Sequence, residues 1–315
     1  MNRLFVEKYR PVKLSDIKGQ DKIVERVKAM VKNKNLSNLL LAGPPGVGKT
    51  SMILAAAMEL YGKSWRANIM ETNASMDRGI NIVREQIKDF ARTKSISDAP
   101  FKICVLDEAD SLTKEAQQAL RRTMEQYSDS CRFCLLANFP SKIIEPIQSR
   151  CSVFRFKPLE KKDVDGIIKE ICKKEGLKID EKAVDAIYNA SEGDVRKAIN
   201  ILQSSSSAKG NITEKLVYET ESIANPKEVK NILDIALKGD FLKARDKLLE
   251  VMVENGLSGL DIIKQIQKEI WNLEISEEEK IKLVDKCGEI EFRMVEGSDE
   301  YVQLESLLAN FVGKK

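Results

Sequence analysis

A chain of 315 residues, 43% of them hydrophobic, can bury sizeable cores, and its length favours two or three domains over one. Charge is nearly balanced, with 52 Lys and Arg against 49 Asp and Glu for a net +3, so any nucleic-acid contact must come from local placement rather than bulk charge. The absence of histidine excludes Ser-His-Asp and Cys-His catalysis and leaves carboxylates, lysines and metal-bound phosphates as the chemical inventory.

In chain order, the segment Met1 to Lys8 lacks the apolar core of a signal peptide, and no later apolar stretch is long enough to span a membrane, which predicts a soluble intracellular protein. Ile23, Val27 and Val31 mark a helix stripe. The compact run Leu39 to Ala42 predicts a strand, and a helical pattern continues through Ile53 and Ala57. Further strands are expected at Ile69 to Thr72, Lys102 to Leu106, Arg132 to Leu136 and Ser152 to Phe156; runs this apolar imply a parallel α/β sheet covered on both faces. After Lys157-Pro158-Leu159 the pattern becomes helical only, with Val164, Ile167, Ile168 and Ile171 on one stripe and Val184, Ile187 and Tyr188 on the next. The serine run Ser204 to Ser207 with Gly210-Asn211 loosens the end of this small helical unit, and Asn225-Pro226 supplies a cap and first-turn proline for a third. Breaks at Gly239-Asp240, Gly256-Leu257-Ser258, Ile275-Ser276 and Gly297-Ser298 divide the remainder into about five helices. The expected domains are 1–158, 159–223 and 224–315. Six scattered cysteines suit free thiols in a reducing compartment, and the Cys131 and Cys134 pair has neither a second pair nor a histidine to complete a zinc site.

Directly after the first strand stands Gly43-Pro44-Pro45-Gly46-Val47-Gly48-Lys49-Thr50, with Ser51 following, a G-x-x-x-x-G-K-[ST] loop in the strand-loop-helix setting it requires. Glycines let backbone N–H groups turn around a β-phosphate, the helix start favours the anion, Lys49 bridges β- and γ-oxygens, and Thr50 ligates magnesium. The expected ligands are ATP and Mg2+. The third strand ends in Asp107-Glu108-Ala109-Asp110, at the sheet edge where α/β ligands sit. Asp107 is the second expected magnesium ligand, and Glu108 the residue that orients and activates the attacking water. Three acids in four residues also fit a solvated helix start.

With these motifs the chain resembles the AAA+ ATPases, and among them the small subunits of archaeal and eukaryotic clamp loaders of the replication factor C type, over almost its whole length. The resemblance implies a P-loop parallel-sheet domain, a helical lid and a C-terminal all-helical collar. It begins with Glu7-Lys8-Tyr9-Arg10-Pro11 and Asp16-Ile17-Lys18-Gly19-Gln20, a segment that in this family lies over the adenine, so Tyr9, Arg10, Val12 and Ile17 are the implied base contacts; a plain arm packed on the core is the alternative. Asn73 to Ile80 looks like the family's N-A-S-D-E-R-G-I box with Met76 and Asp77 replacing its acidic pair. Arg84 and Lys88, four apart on one helical face, can meet phosphates. The family's use of that helix implies DNA contacts at Arg78, Arg84 and Lys88, with an ordinary solvated charged face as the alternative. Leu135 to Ile143 resembles the sensor-1 segment, where Asn138 would read the γ-phosphate or the lytic water. Ser149-Arg150-Cys151 is similar to the triplet that marks clamp-loader subunits, and implies that Arg150 is an arginine finger supplied to a neighbour. Gly193-Asp194-Val195-Arg196-Lys197 follows the sensor-2 pattern, with Asp194 as a cap and Arg196 reaching the phosphates from the lid.

The resemblance further implies weak hydrolysis by an isolated subunit and a ring, expected to be pentameric, of other small subunits and one large subunit. The sliding clamp, contacted around Ala91 to Ile96, and primer-template DNA are the implied partners, with no membrane. Cytoplasmic localisation is expected, or nuclear for a eukaryotic source. Broad stripes such as Leu233, Leu237, Leu248, Leu249, Val251 and Met252 read as collar core, with Trp271 a candidate interfacial residue. Rival readings are a helicase-type AAA+ remodeller, disfavoured by the Ser-Arg-Cys triplet and the five-helix tail, and a non-hydrolysing architectural subunit, disfavoured by intact Lys49, Asp107 and Glu108. Asn73-Ala74-Ser75 and Asn211-Ile212-Thr213 match glycosylation acceptors that an intracellular chain would leave unmodified.

Overall fold

Leu39–Ala42 (β1), Ile69–Asn73 (β2), Lys102–Asp107 (β3), Cys131–Ala137 (β4) and Ser152–Arg155 (β5) form one sheet in the computed structural model, which describes residues 4–75, 83–96, 99–207, 210–221 and 223–314, with the backbone alone at 83 and 84. The strand order is β2-β3-β4-β1-β5 and every pairing is parallel. Parallel neighbours require crossovers, and helices therefore cover both faces. Every residue of β1 and most of β4 are consequently buried, whereas the edge strand β2 is only partly covered.

Side-chain alternation divides the core between the two faces. Cys104 and Leu106 of β3 and Phe133 and Leu135 of β4 pack with Ala116, Leu120 and Met124 of helix Lys114–Gln126. Ile103, Val105, Cys134 and Leu136 are buried on the opposite side, where helix Lys49–Tyr61 packs against β3 and β4. That helix buries Met52, Ile53, Leu54, Ala55, Ala56 and Ala57 in succession, as expected of a helix enclosed all round. The same alternation turns Cys131 and Cys134 to opposite faces of β4, so their metal-like spacing cannot converge on one ion. All six cysteines are free thiols, and burial pushes those of Cys131, Cys151 and Cys287 each up to about 12, which suppresses thiolate chemistry.

By packing, the chain forms two compact units: Met1–Ile179 with Ile187–Lys209, and Asp180–Ala186 with Gly210–Lys315. The first contains the sheet together with helices Lys161–Glu175 and Val195–Ser206. Within it, a π turn at Val83–Ile87 precedes helix Lys88–Arg92, so the helical face read through Arg84 and Lys88 crosses a change of helix type. In the second, five helices follow Asn225: Pro226–Leu237, Phe241–Asn255, Gly259–Ile270, Glu277–Val295 and Glu300–Ala309. Their starts obey cap chemistry, with the Asn225, Asp240, Ser258, Ser276 and Asp299 side chains each accepting a first-turn N–H. Leu233, Leu248, Val251 and Met252 lie in this unit's core as their spacing predicts, Leu237 packs against it half-buried, Leu249 is half-buried outside it, and Trp271 is 54% exposed. Among the described residues no helix is long and apolar enough to cross a membrane.

Candidate nucleotide site

β4 lies between β3 and β1, with Leu106 beside Leu135 and Ala42 beside Ala137. The carboxyl ends of three neighbouring strands therefore open on one edge, and the chain continues from them into Glu108, Asn138 and Gly43. Ligands of open α/β sheets sit at that edge.

From β1 the chain runs through Gly43 to Gly48 into helix Lys49–Tyr61. Gly46 (φ +66°) and Gly48 (φ +95°) adopt backbone that L side chains rarely take. A Cβ on Gly46 would also overlap the Asp194 carboxylate. The Gly46 carbonyl accepts from Val195 N at 3.0 Å, so the loop abuts the start of helix Val195–Ser206, whose cap Asp194 accepts from Lys197 N at 2.9 Å. Arg196, in that first turn, faces the same space.

Lys49 is 8% exposed, and its Nζ donates to Gly43 O (2.5 Å), Pro44 O (2.8 Å) and Asn138 Oδ1 (2.9 Å). Burial lowers its pKa, opposed by the nearby carboxylates of Asp107 and Asp110. Thr50 Oγ1 donates to Asp107 Oδ2 at 3.2 Å, and Asp107 Oδ1 accepts from Glu108 N at 2.9 Å. Glu108 itself lies in left-handed backbone, φ +53°, a conformation that costs a non-glycine residue about 1 to 2 kcal/mol and tends to occur where function fixes it. Asp110, left without a role by the sequence, accepts from Phe139 N at 3.1 Å and so ties the acidic turn to the residue after Asn138.

Lys49, Thr50, Asp107, Glu108, Asn138 and Arg196 line one cleft of about 610 Å3, with Asp110 and Asp194 behind its lining residues. The cleft collects Tyr9, Arg10, Val12, Ile17, Pro45 through Ser51, Asp107, Glu108, Asn138 and Arg196. Gly43 and Pro44 are not among its lining residues; they offer carbonyls to Lys49 instead. Arg150 does not line the cleft either. It is surface-exposed, with Nη2 2.6 Å from Glu125 Oε1 and Nη1 donating to Pro146 O at 2.7 Å. Lys88 is exposed on helix Lys88–Arg92, away from the cleft lining, while Arg78, Met76, Asp77 and the side chain of Arg84 lie outside the described residues.

Sequence patterns did not single out Gln117, which is 2% exposed. Its Nε2 donates to Leu112 O and Lys142 O, both at 3.1 Å, and its Oε1 accepts from Ile144 N at 2.8 Å. One amide thus fastens helix Lys114–Gln126 to the segment between Asn138 and Arg150. A polar residue on the buried stripe with Ala116, Leu120 and Met124 was the only available signal. Gln117→Leu keeps the volume but strands those backbone groups, and is expected to lower unfolding free energy by about 2 to 3 kcal/mol in chemical denaturation. An unchanged denaturation midpoint would show that the bonds carry no weight.

Three family models match the chain: "ATPase family associated with various cellular activities (AAA)" over 39–159, "RFC1-like, AAA+ ATPase lid domain" over 161–217 and "Replication factor C C-terminal domain" over 224–310. The replication factor C small subunit of Methanococcus vannielii is 51% identical over 309 residues, covering 98% of each chain. That of Methanococcus maripaludis is 52% identical over the same shares, and that of Staphylothermus marinus 50% identical over 99% of this chain and 96% of its own. Among solved structures, a Thermotoga maritima RuvB variant superposes with a TM-score of 0.58 at 19% identity, covering 82% of this chain and 88% of that one. The Thermotoga maritima RuvB Holliday junction branch migration motor gives 0.56 at 20% identity, with 79% and 86% covered. At such identity the two structures speak to the fold alone.

Proposed function

Because the chain belongs to the replication factor C small-subunit family and is an AAA+ ATPase, we propose that it is a clamp-loader subunit that uses ATP to open a sliding clamp and load it onto primer-template DNA. One observation carries this reading. The groups needed to hold and cleave ATP share one cleft, except Arg150, which waits on the surface beside Glu125. A site divided in this way needs a neighbour.

In the proposed mechanism, ATP enters the cleft with its base toward Tyr9, Arg10, Val12 and Ile17 and its phosphates in the loop from Gly43 to Ser51. The hydroxyl of Thr50 and the carboxylate of Asp107, 3.2 Å apart, are hard oxygen donors suited to Mg2+, which typically keeps several waters. When bound, the ion supplies neutralisation of charge on the phosphate oxygens. Lys49 exchanges its loop carbonyls for β- and γ-oxygens, and Asn138, already 2.9 Å from Lys49, registers the γ-phosphate. Glu108 orients and deprotonates water. Arg196 closes the lid in cis, and Arg150 of an adjoining subunit completes the site in trans.

The segments 1–158, 159–223 and 224–315 are assigned as nucleotide, lid and collar domains of a pentameric ring with one large subunit, operating in the cytoplasm, or in the nucleus of a eukaryote. The limits of the family models support that division. Arg78, Arg84 and Lys88 are assigned to the DNA phosphates lining the ring. The clamp is assigned to the segment from Ala91 to Ile96. There the buried Asn68 amide donates to Ile96 O (3.0 Å) and accepts from Ile96 N (2.8 Å), leaving a half-exposed isoleucine side chain on a fixed backbone. The test is ATP turnover by the chain alone and with its large partner, clamp and primed DNA. Turnover should be low alone and rise with each addition; a rate indifferent to all of them contradicts the reading.

A further inference from the structure

Residues 4–14 run along the cleft and are tied down at both ends. At one end Leu14 is fully buried and its N–H donates to Glu59 Oε1 at 2.8 Å, on the helix that begins with Lys49 and Thr50. At the other end the ties go to the lid helices. Phe5 N donates to Gln203 Oε1 at 2.7 Å, while Lys8 Nζ and Tyr9 Oη both donate to Glu175 Oε1 at 2.6 Å. Around this point Lys174 Nζ stands 5.5 Å from the Tyr9 ring centre, and the Phe5 ring meets Tyr9 edge-on at 5.9 Å. Between the ties, Val6 and Lys8 through Val12 line the cleft. The same lid helices add Ile167, Glu170, Ile171, Lys174, Arg196 and Ile199 to the lining. The two bonds hold the Glu175 carboxyl below its ordinary range.

We infer that Glu175, the last residue of helix Lys161–Glu175, is a positioning residue that latches the N-terminal strap to the lid and thereby sets how fast nucleotide leaves the cleft. The strap is covalently continuous with Leu14 and so anchored to the phosphate-loop helix. With the latch made, the base-side wall moves with helix Lys161–Glu175, which packs on the helix bearing Arg196, and nucleotide departs only when strap and lid swing away together. With the latch broken, the Phe5 bond to Gln203 still ties the start of the strap to the lid, and residues 8–12 can open more often while Lys49, Thr50, Asp107 and Glu108 stay where they were. Release should therefore accelerate without a matching change in chemistry. The inference rests on the nucleotide reading of the cleft and not on the ring.

Stopped-flow release of a fluorescent ADP from the full chain tests it, comparing Glu175→Ala, Tyr9→Phe and the double variant with the parent, alongside turnover at saturating ATP. Glu175→Ala should speed release about three- to tenfold, and Tyr9→Phe, which removes one hydroxyl from the arm, about twofold. The double variant should match Glu175→Ala alone, because both changes break one junction. In Glu175→Ala, whose side chain lies outside the cleft lining, turnover should change by less than about twofold. Release unchanged in both single variants would overturn the latch. So would effects that multiply in the double variant, since Tyr9 would then act on the base independently of Glu175. A parent chain that takes up no nucleotide would instead sink the reading of the cleft itself.

Discussion

Glu108→Gln is expected to reduce ATP turnover of the assembled complex by about 10² to 10⁴-fold, the span a positioned general base contributes, while ATP binding survives. The substitution is isosteric and keeps the Asp107-Thr50 contact at 3.2 Å and the Lys49 contacts to Gly43, Pro44 and Asn138 in place. What it removes is the capacity to take a proton at the carboxyl edge of β3. Steady-state turnover together with equilibrium nucleotide binding separates the outcomes. Loss of binding in parallel with turnover would mean that Glu108 holds the ligand rather than the water.

Arg150→Ala should have a comparable or larger effect, about 10³ to 10⁵ in turnover, but only where subunits meet. In the isolated chain Arg150 is held by Glu125 at 2.6 Å and by the Pro146 carbonyl, outside the cleft, so its removal should leave the low basal rate of that form intact. An exposed ion pair is typically worth at most about 1 kcal/mol, little against a triphosphate, so Glu125 is a resting place that the guanidinium can leave. Arg150→Lys retains charge but loses the planar fork, and should recover only part of the rate. Equal losses in isolated and assembled protein would place Arg150 in its own subunit's chemistry and remove the reason for a shared site.

Much of this was legible because it is local. The three central strands β3, β4 and β1 announce themselves as short apolar runs, since a sheet covered on both faces leaves them no polar side, whereas the edge strands β2 and β5 carry Glu71, Thr72, Ser152 and Arg155. The phosphate loop is legible because glycine spacing, a lysine and a hydroxyl at a helix start have few other reasons to coincide. The resemblance put Tyr9, Arg10, Val12 and Ile17 near the base, and all four line the cleft. Groups whose partners lie far along the chain escaped. Glu175 meets Lys8 and Tyr9 across more than 160 residues, and within its own helix it reads as one more charged last-turn residue. Gln117 looks like a polar interruption of an apolar stripe until its two carbonyls and one N–H are known. Packing divisions are equally hidden. Periodicity reads the helices after 159 as a small unit of their own; two of them, Lys161–Glu175 and Val195–Ser206, fall in one compact unit with the sheet and help to wall the cleft. Periodicity reports which face of a helix is covered, and it is silent on what covers it.

The claim on which the rest depends is that one subunit's Lys49 and its neighbour's Arg150 serve the same ATP. Complexes assembled from an equal mixture of Lys49→Ala and Arg150→Ala subunits test it directly by their turnover. Each variant alone should be nearly inactive. In the mixture about one junction in four joins an intact cleft to an intact arginine, so activity should return at a corresponding fraction of the parent rate. A mixture no more active than the two variants measured separately, from complexes shown to contain both, would contradict the account.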